Sequence, residues 1–147
     1  MDDGKHAARA LGWQVHVITA SNLDEVEAAF SEAKLQRVHA LVMGADPFFR
    51  SHRAQIVAQA AHHAIPTIHV ERDFVLAGGL ISYGNSVWDA YRRAGLQIGR
   101  LLRGVKPSDL PVDRSTKFEL VINPKTAKAL GITVSPALLA RADEVIE

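Results

Sequence analysis

The sequence predicts an α/β fold, in which a doubly wound, mainly parallel β-sheet is flanked by helices in one domain over residues 1–147. Two observations predict it. Apolar, β-branched segments alternate with segments of helical periodicity, and the joints between them are short. The apolar segments are also nearly continuous, as is typical of parallel strands covered on both faces. We therefore expect right-handed strand–helix–strand crossovers.

The first half of the chain contains three predicted strands and two predicted helices. Their order is a strand at 13–20, a helix over 22–36, a strand at 39–46, a helix over 51–64 and a strand at 67–71. Ser21 or Asn22 can cap the first helix, and Ser51 is the expected N-cap of the second. Pro66 follows the second helix and closes it.

The second half continues with shorter elements. We expect a strand at 80–82, a helix over 86–103, a connector at 105–116, a strand at 117–123, a short helix over 124–131 and a last helical segment from 136. Asn123 and Ser135 each precede a proline, which is the pattern of an N-cap followed by proline at the first helical position.

Composition excludes several classes of function. Lys and Arg number 17 against 16 Asp and Glu, with both signs interspersed, so the chain offers no basic surface to nucleic acid. The chain has no cysteine, which excludes disulfides and thiolate sites. No apolar run approaches the roughly 20 residues of a membrane helix. The N-terminus lacks the apolar core of a signal peptide, so we expect a soluble protein that stays in the cytoplasm if expressed as written.

The predicted parallel strands place a candidate ligand site at one edge of the sheet. In open parallel sheets, ligands bind in the crevice beyond the carboxyl ends of the strands. The candidate residues at those ends are Ser21, Ala45, Asp46, Pro47, Phe48, Phe49, Glu71 and Arg72. Acids, an arginine, a hydroxyl and two rings suit a small polar molecule with an apolar or aromatic part.

Each of these candidates also has a structural interpretation. Phe48 or Phe49 can instead pack against the following helix or the edge of the core. Asp46 can be a turn or cap residue beside Pro47, and residues 71–73 can form a solvated charge cluster. The sequence leaves both sets of interpretations open.

No motif indicates an enzyme or a bound cofactor. The seven histidines show no metal-ligand spacing, and the chain has neither a nucleophile elbow nor a glycine-rich phosphate loop. A hydrolase or isomerase that uses Asp46 with a histidine lacks any recognisable pairing of nucleophile and base. We therefore expect binding without chemistry, with no cofactor and no metal.

Five segments, in order, resemble one known family. They are "LGWQVHVITASNLDEVEAAF", "ALVMGADPFF", "HAIPTIHVERDFVLAGGLISYG", "DAYRRAGLQIGRLLRGVKPSDLPV" and "FELVINPKTAKALGI" followed by "LLARADEVIE". They resemble the C-terminal half of the ABC-transporter substrate-binding proteins that include tryptophan- and tyrosine-type uptake proteins. The resemblance implies one lobe of a type I periplasmic-binding-protein fold. It also implies a cleft lined by Ser21, the turn at 45–48, Glu71 and Arg72, with Ser82, Tyr83 and Gly84 at the crossover between lobes.

The resemblance also implies function and partners. The chain would be the solute-binding component of an ABC-type uptake transporter, or its truncated C-terminal lobe, and would deliver a small molecule to a permease outside the cytoplasm. An amino-acid-like ligand is one candidate. Its amino group would suit Asp46 or Glu71, and its carboxylate would suit a hydroxyl or backbone donors. The alternative is a standalone flavodoxin-like sensor or regulatory domain inside the cell.

Such family members are about twice as long as this chain. The core is expected at 6–82 and 117–147, and the helix over 86–103 would cross to the lobe that this sequence lacks. Without that lobe, the apolar side of the helix would be bare. Exposed apolar surface of that size usually finds a partner. We therefore expect either a homodimer that covers this helix or a chain that is a truncated gene product.

Overall fold

The computed structural model describes residues 2–113 and 117–146 of the chain. Residues 1, 114–116 and 147, which belong to the predicted domain and connector, lie outside the described residues. The helices are α1 (Asp2–Ala10), α2 (Leu23–Leu35), α3 (Pro47–Ser51), α4 (Arg53–His63), α5 (Arg72–Leu76), α6 (Val87–Leu102), α7 (Pro124–Ala129) and α8 (Pro136–Leu139), with a 3-10 helix at Pro107–Asp109. The strands are β1 (Leu41–Val42), β2 (Thr67–His69), β3 (Ile81–Asn85), β4 (Phe118–Ile122) and β5 (Glu144–Val145).

The five strands form one sheet in the order β1-β2-β3-β4-β5. β1 pairs with β2, β2 with β3 and β4 with β5 in parallel, whereas β3 and β4 are antiparallel. The longest ladder joins β3 to β4 and runs from the pair Ile81–Ile122 to the pair Asn85–Phe118. The predicted fold class, a mainly parallel sheet flanked by helices, is therefore confirmed.

Helix α2 begins where the sequence predicts it. Asn22 is the N-cap, because its Oδ1 accepts a hydrogen bond of 2.9 Å from the backbone N–H of Glu25. In return, Glu25 Oε2 accepts a bond of 2.7 Å from the backbone N–H of Ser21. This reciprocal arrangement satisfies backbone donors that the first turn of a helix leaves unpaired.

The hydrophobic core lies between the sheet and helices α2 and α4. Its buried members are Val26, Phe30, Ala33, Ile56, Val57, Ala60, Ile65 and Phe74. Leu41 of β1 packs against this core, while the next residue, Val42, is 78% exposed. Ile68, which pairs with Val42, is also exposed. In this region, β1 and β2 bury one face and leave apolar side chains on the other.

The strand predicted for residues 13–20 is wrong. These residues belong to none of the described strands. Ile18 and Ala20 pack against the core, but Val15 and Val17 remain exposed. β-branched residues suit a strand, but a strand also requires a neighbour that completes its hydrogen-bond ladder. The described residues supply no such neighbour for this segment.

The helix predicted from Ser51 begins two residues later, after a separate short helix. Ser51 is the last residue of α3, and its hydroxyl donates a hydrogen bond of 2.6 Å to the carbonyl of Pro47. His52 occupies the N-cap position of α4 without a side-chain cap bond. Ser51 is therefore not the N-cap of α4, because its hydroxyl already bonds within the preceding turn.

The other observed elements are in some cases shorter and in some cases longer than the predicted ones. β1 and β2 are shorter than the predicted strands 39–46 and 67–71, and β3 is longer than 80–82. The last predicted helix ends at Leu139, and Glu144–Val145 instead pairs with β4. The sequence did not predict α1, α3, α5 or the 3-10 helix. By contrast, the caps Asn123 and Ser135 are confirmed, with bonds of 3.1 Å and 3.2 Å to backbone N–H groups.

Gly84 allows β3 to pass close to the end of β2. A Cβ atom at this position would lie 2.0 Å from the carbonyl oxygen of Val70 and 2.7 Å from its Cγ1. Both distances are far below van der Waals contact, and the first involves backbone, which cannot rotate away. The close approach of these two strands therefore depends on the absence of a side chain at Gly84.

His69 is a buried titratable side chain in β2. Its Nε2 lies 3.0 Å from the hydroxyl of Thr67, and its ring stacks on Phe74 with centroids 4.2 Å apart. Its Nδ1 is buried and has no hydrogen-bond partner within residues 2–113 and 117–146. Burial lowers the pKa of His69 to about 4, because the charged imidazolium would lose its hydration.

We expect His69 to make stability depend on acidity. Its pKa falls from 6.5 in the unfolded chain to about 4 in the folded one, so below pH 6.5 the unfolded chain binds the proton more readily. The free energy of unfolding should therefore have its highest value above pH 6.5 and fall towards pH 4, by on the order of 3 kcal/mol. Urea unfolding measured across this range checks it. His69→Gln should flatten the slope and exposed His16→Gln should not; an unchanged slope in His69→Gln would contradict the assignment.

We expect Gly84→Ala to destabilise the fold by about 1–3 kcal/mol, since the new methyl group must displace the backbone at Val70. Gly99→Ala is the matched control, because a Cβ there meets no atom within 4 Å and lies in helix α6. That change should stabilise by up to about 1 kcal/mol through helix propensity. Thermal unfolding of both variants measures the difference, and equal effects would refute the close approach.

Candidate ligand-binding site

The structure brings two of the predicted strand ends together at one edge of the sheet. β1 and β2 are parallel and in register at Leu41–Thr67, so the turns that follow them leave the sheet on the same side. Arg50, just after the first turn, donates a hydrogen bond of 2.7 Å from Nη2 to Oε1 of Glu71, just after the second. The two turns therefore face each other across a short distance.

An open cavity of about 180 Å³ lies at this edge. It is formed by the turn after β2, one face of the β3–β4 ladder and the first turns of α6. Its lining residues are Arg50, Val70, Glu71, Arg72, Asp73, Ser82, Gly84, Asn85, Val87, Trp88, Tyr91 and Glu119. Charged groups and two aromatic rings thus surround the same space.

Four predicted residues lie in this cavity: Glu71, Arg72, Ser82 and Gly84. Ser82 and Gly84 alternate along β3 and share one face of the strand, and both are buried. Ser82 is small, and Gly84 has no side chain, which allows Val70 to lie close above the strand. These four positions form the floor and one wall of the candidate site.

The turn at 45–47 and Ser21 do not line the cavity. Asp46 is the N-cap of α3, and its Oδ1 accepts a hydrogen bond of 2.7 Å from the backbone N–H of Phe48. Pro47 occupies the first position of that helix, and Ala45 is exposed beside it. Ser21 belongs to the start of α2, where it bonds to Glu25. In this arrangement Asp46 has the cap role that the sequence left open.

Phe48 and Phe49 also lie outside the cavity lining. Both rings are half-buried and pack against the hydrophobic core, with centroids 5.8 Å apart. Phe48 makes a further ring contact with His52, at 4.5 Å. These contacts match the structural interpretation of the aromatic pair, in which the rings attach α3 to the core.

Tyr83 lies on the face of β3 opposite the cavity. Its ring is 58% exposed and stacks on Phe118 of β4, with centroids 5.5 Å apart. Because side chains alternate along a strand, the ring projects away from the side that Ser82 and Gly84 occupy. Tyr83 is therefore separated from the other predicted residues by the sheet itself.

Two ion pairs organise the charges at the site. Arg50 binds Glu71, whose side chain is only 11% exposed, and Arg72 binds Glu144 of β5 at 2.6 Å. The hydrogen bond that Arg50 donates to Glu71, followed by the negative charge of Glu71, raises the pKa of Arg50 above its ordinary value. Smaller contributions to this rise come from Tyr91 and Asp73, so both lie within electrostatic reach of the guanidinium.

Sequence reasoning did not assign eight of the twelve lining residues to the site, among them Arg50, Trp88 and Tyr91. Arg50 follows the aromatic pair directly, and a long cationic side chain one turn beyond a strand end was the available signal. Trp88 and Tyr91 lie in the helix that the sequence was expected to send across to the other lobe, so they were not assigned to the site. Ser86 caps α6 immediately after β3, so the first turn of this helix necessarily lies beside the tip of the strand.

A second depression of about 400 Å³ lies beside α1 and is lined by Lys5, Arg9, Gly12, Trp13, Gln14 and Val15. Its lining residues are distant in sequence from the strand ends. They include one aromatic ring and no buried charged side chain. Among the described residues, no group of three or more His, Asp or Glu side chains could hold a metal ion. In the same residues, no helix is both long enough and apolar enough to cross a bilayer.

The chain is similar to a known protein family and to several solved structures. The sequence model of a family described as ABC transporter substrate binding protein matches residues 2–146. No curated protein matches the sequence. Among solved structures, an ABC domain in complex with L-Trp from Streptococcus pneumonia is 27% identical, with a TM-score of 0.87 over 99% of this chain and 49% of that one.

Two further structures share the fold. A conserved domain protein from Vibrio cholerae is 24% identical with a TM-score of 0.87, covering 99% of this chain and 49% of that one. A ligand-free, open structure of a substrate binding protein with adhesive properties from Clostridium difficile is 23% identical with a TM-score of 0.70, covering 99% and 48%. This chain thus spans about half the length of the structures that it matches. On the match over residues 2–146, the chain belongs to the ABC transporter substrate binding protein family.

Proposed function

We propose that this chain binds a small, amino-acid-like molecule as the solute-binding component, or one lobe of it, of an ABC-type uptake transporter. The observation that carries the proposal is the cavity at the carboxyl ends of β2 and β3, where arginines, acids and two rings surround one space. Ligands of open parallel sheets bind at this edge. Membership of the substrate-binding family supports the same role.

The chemistry of the cavity suits a ligand with charged and aromatic parts. Trp88 and Tyr91 are 74% and 71% exposed, so their faces are available for stacking. Arg50, Arg72 and Asp73 supply charges of both signs beside them. L-Trp, which the Streptococcus pneumonia relative binds, has both features and is the natural first probe.

The family role implies two further features. The partner that receives the ligand would be an ABC permease, and the chain would act outside the cytoplasm, where an importer collects its substrate. Helix α6 would stand outside the core at 6–82 and 117–147, since none of its residues is buried. A lone lobe should bind weakly, because it covers a ligand from one side only.

We expect L-Trp to bind this chain and Trp88→Ala to weaken that binding roughly tenfold, because the variant removes a stacking face of the cavity. Isothermal titration calorimetry measures both dissociation constants. Trp13→Ala is the matched control: Trp13 is similarly exposed, at 67%, but lies away from the cavity. Equal losses in the two variants, or no heat with the unmodified chain, would contradict the proposed site.

We further propose that a second copy of the chain covers the apolar stripe of α6, formed by Val87, Tyr91, Ala94, Ile98 and Leu101. Ile98 and Tyr91 are 55% and 71% exposed, which is unusual for a stripe of this length. Arg93 of this helix binds Asp113 at 2.5 Å, and Val87, Tyr91, Ile98 and Leu101 of the stripe remain exposed among the described residues. The matched structures are about twice as long, and a second copy supplies an equal amount of polypeptide.

We expect sedimentation equilibrium to give a dimer and Ile98→Glu to give a monomer, since a charge at the centre of the stripe cannot be buried without a partner. Leu76→Glu is the matched control, because Leu76 in α5 has the same exposure of 55%. It should remain dimeric. A monomer of the unmodified chain at all concentrations would exclude this interface.

A further inference from the structure

Arg50 has more hydrogen-bonding capacity than the protein uses. A guanidinium carries five N–H donors and no acceptor. Of these, one nitrogen, Nη2, bonds to Glu71 at 2.7 Å, and no other side-chain bond of Arg50 exists within the described residues. The side chain is 54% exposed and lines the cavity. The guanidinium is thus fixed by the bond from Nη2, while its other N–H groups remain available as donors.

Glu71 holds that guanidinium in place and does not compete freely for a ligand cation. Its side chain is 11% exposed, and one of its carboxylate oxygens already accepts from Arg50. Asp46, the other acid to which the sequence assigned a ligand amino group, is engaged as the cap of α3. Both acids to which the sequence assigned a ligand amino group are therefore engaged, and the unused donors beside Glu71 belong to Arg50.

A second donor in the same cavity is also unsatisfied. Arg72 Nε is buried and has no hydrogen-bond partner within the described residues, although the other end of the side chain binds Glu144 at 2.6 Å. A buried donor without a partner is unfavourable, and an acceptor from a ligand would satisfy it. Because Arg72 also lines the cavity, this donor is the second unused guanidinium N–H among the lining residues.

We propose that Arg50 is the specificity-determining residue for a ligand carboxylate, with Arg72 Nε as a second donor, and that the site selects aromatic carboxylates over aromatic amines. This inference rests on the proposed function of the same cavity. Trp88 and Tyr91 contact the apolar body of the ligand while the carboxylate bonds to Arg50. Asp73, exposed at the cavity rim and without a salt-bridge partner among the described residues, attracts an ammonium group where the ligand carries one.

Three related probes separate these contributions. L-Trp carries a carboxylate and an ammonium, indole-3-propionate carries only the carboxylate, and tryptamine carries only the ammonium. We expect the unmodified chain to bind L-Trp and indole-3-propionate more tightly than tryptamine. Arg50→Gln should weaken the two carboxylates roughly tenfold to hundredfold, as is typical for loss of a charge-assisted hydrogen bond, and leave tryptamine unchanged.

The control variant is Arg100→Gln, which removes an exposed arginine from α6 outside the cavity and should alter none of the three affinities. Thermal unfolding of Arg50→Gln shows whether the variant still folds, because the substitution leaves Glu71, which is 11% exposed, without its charged partner. If L-Trp binds the unmodified chain but Arg50→Gln weakens all three probes equally, or none, Arg50 is not the carboxylate anchor and the proposed function still stands. If none of the probes binds the unmodified chain, both proposals are overturned.

Discussion

The pairing of β3 with its two neighbours is the constraint on which the site depends. β3 is parallel to β2 at Ile68–Ile81 and antiparallel to β4 along its whole length. This register places Ser82 and Gly84 on the cavity side and Tyr83 on the other. A slip of one residue would reverse the faces and drive the ring of Tyr83 into the space beside Val70. Because α6 follows β3 directly, the same register also sets where Trp88 and Tyr91 lie.

The sequence was sufficient for those features that depend on chain order and composition. Parallel crossovers put the ends of β1 and β2 at one edge whatever the details of packing, so the meeting of the turns at Asp46 and Glu71 was predictable. The roles of individual side chains depended on competition that the sequence does not display. Asp46 caps α3 because a backbone N–H lies within 2.7 Å. The segment 13–20 has strand composition but no strand partner in the described structure, so β-strand propensity alone gave a wrong prediction there.

The ion pairs at the cavity matter for geometry more than for stability. Pairs with this degree of exposure contribute only about 0–1 kcal/mol each to folding. Yet Arg50–Glu71 connects the turns after β1 and β2, and Arg72–Glu144 connects α5 to the last strand. Each pair leaves the guanidinium with donors beyond those that the carboxylate uses. Both guanidinium groups are therefore held in place while they retain unused donors, and the proposed carboxylate site depends on this property.

The cavity and the apolar stripe of α6 share residues, and this sharing couples two events. At about 180 Å³ the cavity is smaller than the roughly 300–1,000 Å³ typical of enclosed ligand sites, and it is open on the side of α6. Tyr91 belongs to both the lining and the stripe. Any polypeptide that packs on the first turns of α6 would therefore deepen the cavity while it buries the ring. By thermodynamic linkage, whatever factor such packing applies to the affinity for a ligand, the ligand applies the same factor to the packing.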